Sequence, residues 1–226
     1  MSRISRAAFI GVFVLVMVGL VKYAYANPGV VACALIDAIP VGAEDREQAS
    51  LVSEARVRIA HLFGEPQSRP IIVFWDKAGF FAKLRLNDYA STHLLGARAC
   101  VFVGPKGRSL DVVGHELVHA EVFDRVGPWF RMTQVPVWFD EGLAMQVDYR
   151  EKYVLPKGVD TRYIRNASTP ASFFVADDQE LTRNYGAAKS EVARWVAEVG
   201  STFVYAQLAR IRSGEKFTNV VPRGED

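Results

Sequence analysis

The chain has 226 residues, half of them hydrophobic and 23% charged, an ordinary globular composition with enough chain for one sizeable core. Its formal charge is +2, and without Arg3, Arg6 and Lys22 of the N-terminal segment it falls to about −1. No Lys/Arg stripe with interleaved aromatics, internal repeat or low-complexity tract occurs, which removes nucleic acid from the expected partners.

Residues 1–26 have the form of a targeting segment. Arg3 and Arg6 precede a continuous apolar run from Ala7 to Val21, and Ala24-Tyr25-Ala26 offers an A-x-A cleavage site. A cleaved signal peptide and an uncleaved anchor through residues 7–26 are both compatible with it. The run is short for a span of roughly twenty residues, which favours cleavage. A lipoprotein box at Val30-Val31-Ala32-Cys33 is a distant third reading, because Lys22, Asn27 and Pro28 separate it from the apolar run. All three readings carry residues 27–226, read as a single domain, across a membrane, periplasmic, secreted or anchored facing outward. In an oxidising compartment Cys33 and Cys100 either close a disulfide or remain two separate buried thiols. Asn166-Ala167-Ser168 fits a glycosylation sequon, which has meaning only in a eukaryotic secretory host.

Within the domain, Leu51, Val52, Ala55, Ile59 and Leu62 recur at helical spacing from Ala43 to Phe63, and Gly64 and Pro66 stop the pattern. His61, near its end, reads as a surface or capping histidine rather than a ligand, since no partner stands at metal spacing. Pro70 to Trp75 reads as a buried strand, and Asp76 as the cap of a short helix through Leu84. Residues 87–97 read as a polar loop, followed by a strand from Ala99 to Val103; His93 in that loop reads as solvated, with a substrate contact as the second reading. That strand is expected at a sheet edge, open to an extended peptide. The next helix, about Leu110 to Val126, opens with Asp111 in the turn where an acid suits the dipole, and Gly127-Pro128 ends it.

This helix carries His115-Glu116-Leu117-Val118-His119. Histidines four residues apart share one helix face, so both imidazoles can meet one Zn²⁺. Glu116 lies about 100° round the helix, placed to reach an attacking water without being a ligand. A hydrolytic zinc needs a third protein ligand, and four acids follow. Glu121 and Asp124 lie off the ligand face, while Asp140 and Glu141 are adjacent on a second helix after Pro136 and face different ways. Val122 and Arg125 stand where a metzincin would have its glycine and third ligand.

Beyond this helix, residues 149–180 read as a hairpin-like excursion and loops over the site. A helix follows from about Tyr185 to Val199, then one from Thr202 to Arg212, and the last dozen residues look weakly ordered.

Trp138-Phe139-Asp140-Glu141-Gly142-Leu143-Ala144 resembles the W-x-x-E-G-x-A helix of gluzincin zinc metallopeptidases, particularly the small peptidase MA-like domains. Tyr185-Gly186-Ala187-Ala188 and Ile211 to Phe217 are similar to that family's later segments, so the resemblance covers roughly residues 45–218. It implies an α+β, zincin-like fold with a small mixed or antiparallel sheet packed on the HExxH helix and a mainly helical C-terminal half. It implies one zinc per chain held by His115, His119 and Glu141, with Glu116 as catalytic base acting on a peptide or protein substrate. Tyr185 is the phenol available for the oxyanion, with a core or capping aromatic as its bland reading. Met145 replaces an acid that some members direct at a zinc histidine. Asp148 is a weak substitute, more simply read as a solvated helix-end acid. The rival class is a catalytically silent zincin-fold envelope protein used for binding or assembly.

Overall fold

Residues 27–38, 45–77, 83, 84 and 86–222 are described by a computed structural model. The targeting segment expected over residues 1–26 and most of the helix expected after Asp76 lie outside these residues. A first helix, α1 (Pro28–Leu35), ends in a 3₁₀ turn. Helix α2 (Arg46–Phe63) starts where the Asp45 carboxylate accepts from Gln48 N at 2.8 Å. It stops at Gly64, whose φ of 94° suits a residue without Cβ.

Three strands follow, β1 (Ile71–Phe74), β2 (Ala90–Leu95) and β3 (Arg98–Val103), in the order β1-β3-β2. β1 runs parallel to β3, and β2 runs antiparallel to it. Two expectations are corrected here. Residues 90–95 form a strand and not a loop, and Ala99 to Val103 lie in the central strand, with both backbone edges engaged. β2 is therefore an edge. Its period-2 pattern is hidden because the face holding Ala90 and Leu94 also holds Thr92, a polar side chain with a partner in the site.

The sheet is covered on both faces. Val101 and Val103 pack in the main core with α3 (Leu110–Val126), whereas Cys100 and Phe102 pack with Ala32, Cys33 and Trp75 on the other face. There Cys33 and Cys100 are joined in a disulfide with Cα atoms 5.7 Å apart, inside the usual range. The disulfide ties α1 to the central strand.

Helix α3 begins at Ser109, whose hydroxyl accepts from Val112 N at 3.3 Å. Beyond it come α4 (Pro128–Thr133), α5 (Val137–Ala144), α6 (Pro170–Phe173), α7 (Asp178–Val199), α8 (Val204–Arg212) and α9 (Phe217–Val220). The molecule is thus α+β, a three-stranded mixed sheet followed by a helical C-terminal half. α3 lies at the centre, against the sheet, α2, α5 and α8, and α5 lies closely along α7. Among the described residues no helix is long and apolar enough to cross a membrane.

Three further expectations change. Residues 149–180 contain no strand; they hold two 3₁₀ turns, Glu151–Tyr153 and Arg162–Asn166, and α6. Helix α7 starts at Asp178, capped by Asp177, so Tyr185 lies inside the helix and does not open it. The stretch from Phe217 to Val221 is docked rather than loose. Phe217 stacks edge-on against Phe139 at 5.0 Å, and Trp195 Nε1 donates to Val220 O at 3.0 Å.

Candidate metal centre

His115, Glu116 and His119 stand on α3, each only 7% exposed, and Glu141 reaches them from α5. The residue after Glu141 sets how closely α5 approaches α7. A Cβ on Gly142 would fall 2.5 Å from Ala188 O and 2.6 Å from Val192 Cγ2. Only glycine lets α5 sit this deep, and the adjacent glutamate is carried inward with it.

The three side chains that could hold a metal ion meet through one atom each. His115 Nε2 and His119 Nε2 are 3.1 Å apart, and Glu141 Oε2 is 3.3 Å from the first and 3.5 Å from the second. A tetrahedral ion with bonds of about 2.0–2.1 Å has ligand-to-ligand edges of roughly 3.3–3.4 Å, so this triangle has the size of one tetrahedral face. Glu141 Oε2 is buried and has no hydrogen-bond partner. A carboxylate oxygen buried beside two imidazole nitrogens is costly alone and well satisfied by a cation.

Acids stand behind both histidines. Asp140 Oδ2 lies 3.0 Å from His119 Nδ1 and is ion-paired with Arg131, while Asp148 Oδ2 lies 3.8 Å from His115 Nδ1 and is ion-paired with Arg150. A proton on each Nδ1, facing its acid, leaves both Nε2 lone pairs directed at the space shared with Glu141. Asp148 is fully buried, which corrects its reading as a solvated helix-end acid. Neither Asp140 nor Arg131 was legible as the support of His119. The only trace in the sequence is the acid immediately before Glu141.

The electrostatics favour positive charge at this point. Burial disfavours the imidazolium of His119, but Asp140 and Glu141 outweigh it and hold its pKa well above the usual histidine value. Burial likewise opposes ionisation of Glu141, yet His119 and His115 prevail and keep its carboxyl far below the usual range. For Asp148, burial is overcome by hydrogen bonds from Arg150, so its pKa is also lowered.

Glu116 points elsewhere. The Thr92 hydroxyl on β2 lies 2.7 Å from Glu116 Oε2 and 3.1 Å from Glu116 O, donating its one proton to either. An edge strand thereby orients the carboxylate that the HExxH spacing leaves off the ligand face. Tyr185 stands across the site, its ring 6.2 Å from that of His115 and 5.2 Å from those of Tyr153 and Phe173. Burial, reinforced by Glu141, pushes its phenol far above the usual tyrosine value, so it stays a protonated donor.

Two cavities, of about 410 and 370 Å³, share His115, Glu116 and Tyr185 and so continue one another through the site. His93 lines the smaller. It is partly buried on β2 with Nε2 2.9 Å from Ser91 Oγ, and burial lowers its pKa, which corrects its reading as a solvated loop residue. Its ring fills the space a Cβ on Gly29 of α1 would occupy. His61 is exposed and remote from the site, as its spacing suggests.

Compared with protein-family models, curated proteins and solved structures, the chain matches none of them.

Proposed function

We propose that the chain is an extracytoplasmic zinc-dependent peptidase of gluzincin type, with His115, His119 and Glu141 as the residues that would hold the ion. The observation that carries this reading is the triangle of 3.1, 3.3 and 3.5 Å between three buried ligand atoms, with acids behind both imidazoles. Three protein ligands leave one position of a tetrahedral ion open, which suits hydrolysis better than a closed structural site. Bound there, zinc would polarise the scissile carbonyl and bring the pKa of its water towards about 7.

The chain's own groups account for the proton movements. Glu116, oriented by Thr92, takes a proton from the attacking water and returns it to the leaving amine. Tyr185, a phenol held neutral, donates to the oxygen on which negative charge develops. The disulfide between Cys33 and Cys100 and the apolar segment before residue 27 both suit an oxidising compartment across a membrane.

Elemental mass spectrometry of the purified protein tests the assignment. We expect about one zinc per chain, much less in Glu141→Ala, and full occupancy in Glu116→Gln with turnover down by roughly 10²–10⁴-fold. A parent protein that stays empty after zinc addition would turn the reading towards a binding or assembly role for this fold. Hydrolysis retained in Glu116→Gln would remove the base assignment alone.

A further inference from the structure

The two halves of the cleft differ in charge. In the smaller cavity the cation is Arg131, already ion-paired with Asp140, and Val137, Pro170 and Phe174 give an apolar lining. In the larger cavity Arg150 is likewise engaged by Asp148, but Lys152 is not. The Lys152 ammonium lies 4.7 Å from the centre of the Tyr153 ring and 6.0 Å from that of Tyr89, and among the described residues it has no ion pair. Aromatic faces orient an ammonium without neutralising it, so its charge remains available to an incoming anion. With the ion bound, its charge is balanced by Glu116 and Glu141, so Lys152 is the cation of the larger cavity left to hold an anion. Asp178, exposed in the first turn of α7, is the acid of this lining outside the reacting centre and partly offsets Lys152.

We propose that Lys152 selects substrates by a carboxylate placed in the larger cavity, with an apolar side chain against Val137, Pro170 and Phe174 in the smaller. This rests on the peptidase reading of the centre and adds its substrate class. The carboxylate has two sources, an Asp or Glu side chain within the peptide or the free C-terminus. The first is a side-chain preference, and the second makes the protein a carboxyl-terminal exopeptidase.

Three labelled peptides of otherwise matched sequence separate these cases: one with an internal Glu and an amidated end, one with Gln and a free carboxylate, one with Lys and an amidated end. Binding is read by fluorescence anisotropy on the zinc-loaded Glu116→Gln protein, and cleavage by mass spectrometry on the parent. We expect a carboxylate peptide to exceed the Lys peptide by roughly fivefold in both readouts, and Lys152→Glu to reverse the order. Asp178→Asn should widen the preference. The better of the two carboxylate peptides names the source. Cleavage with an order that Lys152→Glu leaves unchanged overturns the assignment and spares the peptidase reading. Binding that depends on Lys152 without cleavage by the parent does the reverse. Absence of both binding and cleavage overturns both.

Discussion

The helix pair α3–α5 and the walls of the cleft it opens into are built on different rules. In the pair, each side chain of the triangle is placed by a local feature: the i,i+4 spacing of His115 and His119, and the small residue that lets Glu141 ride inward on α5. In the walls, each contact joins residues far apart in the chain. Thr92 reaches Glu116 from a strand 24 residues earlier, and Tyr153 meets Tyr185 across one 3₁₀ turn and a short helix. Disturbing the pair should therefore cost the fold and the metal together, whereas disturbing a wall should cost orientation alone.

The largest expected effect comes from Gly142→Ala. The new methyl meets the backbone carbonyl of Ala188, which cannot swing aside like a flexible side chain, so α5 must lift away from α7. A loss of about 3 kcal/mol in stability is expected, near the upper end for overpacking, with a fall in zinc content because Glu141 moves with the backbone. Denaturant unfolding and metal analysis check both. Normal stability with normal zinc would show that α5 has room to spare and that the pair is less tightly specified than its geometry indicates.

An intermediate effect is expected from Asp140→Asn. The amide oxygen can still accept from His119 Nδ1, but the charge that pairs with Arg131 and favours a cation at the centre is gone. Outer acids of this kind are worth about 10–100-fold in metal affinity. Competition with a fluorescent chelator would show that loss, together with a lower unfolding midpoint because the buried pair with Arg131 is broken as well. An unaltered affinity would assign Asp140 to anchoring Arg131 and leave His119 oriented by packing.

The same division explains what the sequence disclosed. That His115 and His119 share a face with Glu116 beside them was legible because helical spacing dictates it, whereas Glu141 stood out from three other acids only through the resemblance of Trp138 to Ala144 to a gluzincin helix. The disulfide was visible as one of two alternatives, since two cysteines do not state their own distance. β2 was missed because Thr92 interrupts its apolar face and His93 enters its other face, where the ring packs over Gly29. Asp148 looked like a solvated acid because its burial depends on Arg150 and on α7, which no periodicity near residue 148 reports. Departures from local rules thus collected where side chains serve the site rather than the core.

Thr92→Val is the smallest change and the sharpest test of the walls. Valine keeps the shape and strand preference of threonine, so β2 should hold its register with β3 and zinc content should stay unchanged. What disappears is one hydrogen bond to a carboxylate, worth about 1–2 kcal/mol. If that bond orients Glu116 for proton transfer, kcat should fall by roughly five- to thirtyfold, the factor those energies represent, with KM little altered. Amide exchange along β2 should quicken at the same time, because the bond also ties the edge strand to α3. Faster exchange with an unchanged kcat would confine Thr92 to holding the strand in place. Glu116 would then owe its orientation to α3 alone, and the contrast between helix pair and wall would not extend to catalysis.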